Sequence, residues 1–224
     1  MRRKRGGKVD GWLILDKPVD LASTQAVNIV KRIFDAQKAG HAGTLDPLAS
    51  GILPIALGEA TKTVPYAMDA AKTYRFGLRF GEARATDDAE GEVIHTSDRR
   101  PSDDAIRAIL PQFTGLITQV PPAFSAIKVQ GERAYDLARA GEAVELQPRQ
   151  VLIHSIRLLA RPTADDATFE VVSGKGAYMR ALGRDLAMEL GTCGHIRELR
   201  RTAVGPFTEA RAISLESLKA LGHS

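Results

Sequence analysis

One carboxylate stands out in this chain by its setting. Asp46 lies in the stretch His41-Ala42-Gly43-Thr44-Leu45-Asp46-Pro47-Leu48-Ala49-Ser50-Gly51, between two glycines and ahead of an apolar run over residues 52–57. A residue before proline is driven toward extended backbone, and glycine allows sharp reversals. Asp46 therefore reads as a reactive group on a stiff, re-aimed loop. The same Asp46-Pro47 pair also fits a plainer role, a helix N-cap satisfying backbone donors with proline at the first helical position. The local pattern leaves both open.

The elements that must hold this loop are legible in the periodicity. Residues 12–15 form a short buried strand that Lys17-Pro18 ends. From Thr24, capped by Ser23 or by itself, Ala26, Ile29, Val30, Ile33 and Phe34 recur at helical spacing, and the resulting apolar face supports the loop reached at His41. Tyr74, Phe76, Leu78 and Phe80 alternate with Arg75, Gly77 and Arg79, a strand with one buried face that begins at Tyr74. The acidic, glycine-bearing segment 82–92 is expected to be an exposed loop, with an extended run resuming at Val93-Ile94. Ser102 precedes a helix that turns Ile106, Ile109 and Leu110 inward, with Phe113 nearby. Pro121-Pro122 breaks regular structure, residues 133–140 read as a short helix ended by Gly141, and residues 149–159 and 168–172 read as strands of a central sheet. A last helix over about 178–190 repeats Leu182, Leu186 and Leu190 and stops at Gly191. Arg180 falls near its start, where it could pair with Asp46.

Composition bounds the class. The 224 residues are 44% hydrophobic and 26% charged, enough for a substantial core in one large domain or two closely packed lobes. No apolar run approaches the length of a membrane span, and the basic start leads into Val9-Asp10-Gly11 rather than an apolar signal core, so cytoplasmic residence is expected. Cys193 is the single cysteine, which excludes an intrachain disulfide and a multi-cysteine metal site. The net charge of +4 comes from the five positive charges of residues 1–8, and the rest of the chain is near −1. Residues 1–9 are expected to form a flexible basic tail with at most an auxiliary attraction for phosphate. A more local basic group, Lys175, Arg180, Arg184, Arg197, Arg200 and Arg201, gathers late in the sequence.

Two rival chemistries fail on spacing. Ser173-Gly174-Lys175-Gly176 has lysine between glycines, but Ala177 supplies no hydroxyl and the wider glycine pattern is wrong for a phosphate loop; a strand-to-helix turn fits better. His41, His95, His154, His195 and His223 show no ligand spacing with carboxylates or thiols, so no metal is expected.

From about Gly11 to Phe207 the chain resembles the TruB family of tRNA pseudouridine(55) synthases. The matching segments, in order, are Gly11-Trp12-Leu13-Ile14-Leu15-Asp16-Lys17-Pro18, residues 41–51 as the catalytic loop, Leu57-Gly58-Glu59-Ala60-Thr61-Lys62, Lys72-Thr73-Tyr74, Pro121-Pro122-Ala123-Phe124-Ser125-Ala126-Ile127-Lys128, Gly176-Ala177-Tyr178-Met179-Arg180 and Leu199-Arg200-Arg201. The resemblance implies an α+β pseudouridine-synthase fold, with a mixed, mostly antiparallel sheet, flanking helices and an RNA-binding cleft. It implies a catalytic domain over residues 10–224 and an RNA-gripping insertion at about 119–147; bacterial members of the family usually continue into a small C-terminal PUA domain, and here that domain is expected to be missing or reduced, a departure from the family pattern.

The implied activity is isomerisation of uridine to pseudouridine in the tRNA T loop, by a monomer without cofactor, metal, guide RNA, protein partner or membrane. Asp46 is then the essential catalyst, Arg180 orients it and keeps it ionised through a forked contact, and Tyr74 stacks on uracil and assists loss of the C5 proton. His41 occupies space in the rearranged loop, Tyr178 and Leu199 wall the pocket, and Lys62 contacts phosphate or plays a structural part. An inactive RNA-binding or chaperone module of the same fold is the alternative.

Overall fold

The computed structural model describes residues 6–122, 128–129, 132–133 and 146–221. They gather into two compact units, Met1–Tyr74 with Leu199–Ser224, and Arg75–Glu198. Two strands carry the chain between them, so that Tyr74 is the last residue of the first unit on the way out and Leu199 the first on the way back.

In the first unit, β1 (Gly11–Lys17) runs antiparallel to β3 (Ser50–Leu57), from Gly11 opposite Leu57 to Lys17 opposite Gly51. β2 (Ala39–His41) also pairs antiparallel with β3, while the end of β12 (Gly194–Val204) sets Arg200 and Arg201 parallel to Ser50 and Gly51. β13 (Phe207–Thr208) folds back on β12, and β14 (Ile213–Ser214) lies parallel to β1. β3 is buried from Gly51 to Leu57 because both of its faces are covered, which explains its unbroken apolar sequence. On one face Leu53, Ile55 and Leu57 join Leu15, Leu45, Ala49, Leu218 and the buried side of α1 (Ser23–Ile33); on the other, Ile52 joins Ile14 and Val204. Leu218 comes from a short terminal helix, Leu215–Leu221.

Helix α1 departs from expectation at both ends. Its N-cap is Ala22, whose amide is taken by the Gln25 side chain at 3.1 Å, and Ser23 spends its hydroxyl elsewhere. Val27 shares the buried face with Ala26 and Val30, while Phe34, at the C-cap, is exposed. The start of the chain is fastened sooner than a tail to residue 9 would be: Gly7 N–H donates to Asp35 O at 2.6 Å, and Gln37 Nε2 to Gly6 O at 2.8 Å.

In the second unit the strands lie in the order β4 (Lys72–Phe80, here from Arg75), β11 (Asp166–Ser173), β10 (Arg149–Ala160), β7 (Gly115–Gln119). Both β10 pairings are antiparallel. Phe76, Leu78 and Phe80 are wholly buried, as the alternation predicts, and Phe76 stacks on Phe169 with ring centroids 5.3 Å apart. Ser102 caps the helix Asp103–Ile109, and helix Met179–Glu189 buries Leu182 and Leu186 before ending at Leu190 and Gly191, whose φ is +72°. Residues 173–176 form the strand-to-helix turn expected of them.

Segment 82–92 is a correction. Its start, β5 (Glu82–Arg84), is a strand paired with β6 (Val93–Thr96), and Asp88 is buried, because a carboxylate can leave water when an arginine accompanies it. Within residues 119–147, β8 (Lys128–Val129) and β9 (Glu132–Arg133) pair antiparallel. The helix expected from Arg133 falls, beyond that residue, outside the described residues. No helix among the described residues is long and apolar enough to cross a membrane.

Candidate active site

The loop between β2 and β3 follows from its proline and the glycines at its two ends. Gly43 takes φ +94° and Gly51 φ +105°, conformations that L side chains rarely adopt. At Gly51 a Cβ would fall 2.2 Å from Arg201 O, so the close parallel approach of β12 also requires glycine. Asp46 is half-buried, and no helix follows it. Instead Ala49 N–H donates to Asp46 O at 3.0 Å, closing a turn with Pro47 at its second position, where a fixed φ is favoured. The N-cap reading of Asp46 is thereby excluded.

Among the described residues of this unit, three buried polar side chains touch the loop backbone, and none was assigned a role there from the sequence: Lys17, Ser23 and Arg201. Lys17 Nζ donates to Pro18 O and Leu21 O, each at 2.8 Å, and to Pro47 O at 3.4 Å. Burial lowers its pKa from 10.5 to about 8 against the opposing pull of Asp46 and Asp20, with Arg201 adding to the lowering. Their only sequence signal was position: Lys17 and Arg201 stand inside matched segments, and Ser23 looked like a cap.

Tyr74 and Leu199 pack against the core cluster that contains Leu45 and Ala49, so both sit against the loop's own support. His41 ends β2 and enters the loop. Its Nδ1 is buried without a hydrogen-bond partner among the described residues, and burial, with Arg201 second, holds its pKa below the ordinary 6.5, which keeps the ring neutral at pH 7. Lys62 is not part of this group; it is exposed on the 3-10 helix Gly58–Thr63 and paired with Glu59.

The other two expected residues belong to the second unit. Arg180, 7% exposed, lies in the first turn of helix Met179–Glu189; its Nη1 donates to Thr86 O at 3.1 Å and stands 3.4 Å from Asp88 Oδ2. One turn on, Arg184 pairs with Asp87 at 2.9 Å and with Asp185. Burial outweighs Arg184 in raising the Asp87 pKa. Tyr178 is held by the buried Gln119, whose Oε1 accepts from Tyr178 N at 3.0 Å and whose Nε2 donates to Tyr178 O at 3.3 Å. Asp88 and Gln119 were hidden, one in a charge run that looked solvated and the other at the end of an ordinary strand. Among the described residues no three His, Cys, Asp or Glu side chains are grouped to hold a metal ion.

A mixed, mostly antiparallel sheet with flanking helices, carrying a half-buried aspartate on a braced loop, defines an α+β domain with one candidate carboxylate. Comparison with known proteins gives the class. The model of the TruB family pseudouridylate synthase N-terminal domain matches residues 31–179, and that of the tRNA pseudouridylate synthase B C-terminal domain matches residues 180–223. The tRNA pseudouridine synthase B of Agrobacterium fabrum is 63% identical over 220 residues, covering 98% of this chain and 70% of the relative. That of Gluconacetobacter diazotrophicus is 64% identical over 218 residues, covering 97% and 71%. Among solved structures, a Cbf5-Nop10-Gar1 complex contains a chain similar at a TM-score of 0.71 and 32% identity, over 92% of this chain and 52% of that one. The present chain thus spans about half the length of that solved chain. It belongs to the TruB family of pseudouridylate synthases and has the pseudouridine-synthase fold.

Proposed function

We propose that this chain isomerises uridine to pseudouridine at position 55 in the T loop of tRNA, with Asp46 as its catalyst. The observation that carries the reading is the placement of Asp46: a half-buried carboxylate in a turn whose flanks pack into the same core as Tyr74 and Leu199. The curated relatives, at 63% and 64% identity, carry the name tRNA pseudouridine synthase B.

The reaction breaks the bond between N1 and the ribose, turns the base and joins C5 to the same ribose carbon. N1 ends protonated and C5 loses its proton, so atoms balance without redox or an energy source. Asp46 acts as a carboxylate, attacking sugar or base or removing the ribose 2′ proton. Arg180 orients the reacting carboxylate by the family resemblance, and Tyr74 holds the ring of the detached uracil and helps remove the C5 proton. Tyr178 and Leu199 wall the pocket, His41 fills the space of the displaced base, and Lys62 meets phosphate. The uridine must leave its stack, which costs a few kcal/mol and calls for such substitute contacts. Recognition rests on the folded T arm, and the chain works without guide RNA or partner protein.

The test is release of tritium from uracil C5 of tRNA, with the product mapped to the nucleotide. Label release with pseudouridine at position 55 supports the reading. Tight tRNA binding without release would instead make the chain an inactive RNA-binding module.

A further inference from the structure

Loop carbonyls ordinarily face water, yet from Gly43 to Pro47 every one accepts a hydrogen bond from the protein. Arg201 Nη2 donates to Gly43 O at 3.0 Å and its Nη1 to Thr44 O at 3.3 Å. Ser23 Oγ donates to Leu45 O at 2.8 Å and accepts from Leu45 N at 2.9 Å. Ala49 N–H closes on Asp46 O, and Pro47 O receives Asp20 N–H at 2.8 Å together with Lys17. Ser23 and Arg201 are 3% and 1% exposed. Arg201 is anchored in turn by Nε donating to Ile52 O at 2.8 Å.

We propose that Ser23 and Arg201 are positioning residues for the isomerisation: a brace from helix α1 and strand β12 that sets the direction in which the Asp46 side chain leaves its loop. The inference rests on the reading of Asp46 as catalyst. Ser23 is the sharper half. Its hydroxyl meets both backbone groups of the residue next to Asp46, as a paired strand would, and so limits rotation of the Leu45–Asp46 peptide. It gives up the helix N-cap, a role serine favours, to do so. Arg201 has its planar fork on two successive carbonyls, a geometry lysine cannot reproduce. A reacting group displaced by about 1 Å can cost on the order of a hundredfold in rate, so a brace of this kind acts on chemistry rather than on affinity.

The test measures single-turnover tritium release from saturating tRNA, tRNA affinity and thermal stability for the wild type, Ser23→Ala, Ser23→Cys and Arg201→Lys. A core variant remote in sequence, Ile106→Val, serves as a stability control. Ser23→Ala should slow release roughly 10- to 100-fold with affinity within about threefold. Ser23→Cys, which keeps a weak donor and acceptor, should recover part of the rate. Arg201→Lys should lose rate with little change in affinity if it folds, and Ser23→Ala carries the test if it does not. Ile106→Val should lower stability without slowing release. Wild-type rates in Ser23→Ala, or rate losses that only track melting temperature across all variants, would overturn the brace. An inactive wild type would instead strike at the assignment of function.

Discussion

Raising the pH through 8 should strengthen the fold and weaken catalysis together, because both effects pass through Lys17. Its ammonium has three N–H groups for three carbonyls, those of Pro18, Leu21 and Pro47. The neutral amine has two, and the Pro47 contact, longest at 3.4 Å, is the one to lapse. Burial holds the folded pKa at about 8 against 10.5 for the free side chain. Between those values the unfolded chain binds more protons, so stability rises with pH; below 8 both states are charged and the full cost of burying the cation is present. The gap is worth roughly 3 kcal/mol when complete, of which about 1 kcal/mol is recovered by pH 9. Over pH 7 to 9 the ammonium population falls about tenfold, and single-turnover rate should follow it. Urea unfolding and tritium release, measured across that range for the wild type and Lys17→Arg, isolate the group, since uridine and every other residue titrate alike in both. Arginine cannot shed its charge there, so both pH slopes attributable to residue 17 should vanish. Parallel profiles for the two proteins would refute the assignment.

Asp46→Asn should abolish tritium release while leaving melting temperature and most tRNA affinity intact, as it removes charge at nearly constant shape; near-normal turnover would remove Asp46 from its role. Tyr74→Phe and Arg180→Lys should lower the single-turnover rate more than the affinity, and a loss of affinity alone in both would count against them. Gly51→Ala should destabilise the protein by roughly 2 kcal/mol or more in urea titration, because φ is +105° and the new methyl would meet Arg201 O. Asp166, held at a pKa of about 2 chiefly by its hydrogen bonds with Arg79, should contribute stability that is present above pH 4 and lost as pH falls through 2. Acid unfolding of Asp166→Asn, compared with the wild type, should lack that component.

The legible parts of this molecule were those where a short period meets a water-free face. Phe76, Leu78 and Phe80 alternate because one side of β4 is buried, and Leu182, Leu186 and Leu190 recur because one side of a helix is. Helix α1 was found for the same reason, but its cap was misplaced, since Ser23 had a better use for its hydroxyl than the first turn. Segment 82–92 was misread because charge patterning cannot tell a solvated carboxylate from one buried against an arginine 92 residues away, as Asp88 is against Arg180.

The candidate site divides along the same line. Sequence alone singled out the candidate carboxylate and the stiffness of its loop, because Gly43, Pro47 and Gly51 restrict backbone within a few residues of Asp46, and the ordered motifs pointed to the family. Tertiary structure alone decided what holds that carboxylate in place. Lys17, Ser23 and Arg201 lie between 22 and 158 residues from the carbonyls they meet in the loop, and no local pattern encodes such a meeting. It arises because β3 pairs with both β1 and β12, and each partner strand delivers one of these buried cations to the carbonyls of the loop.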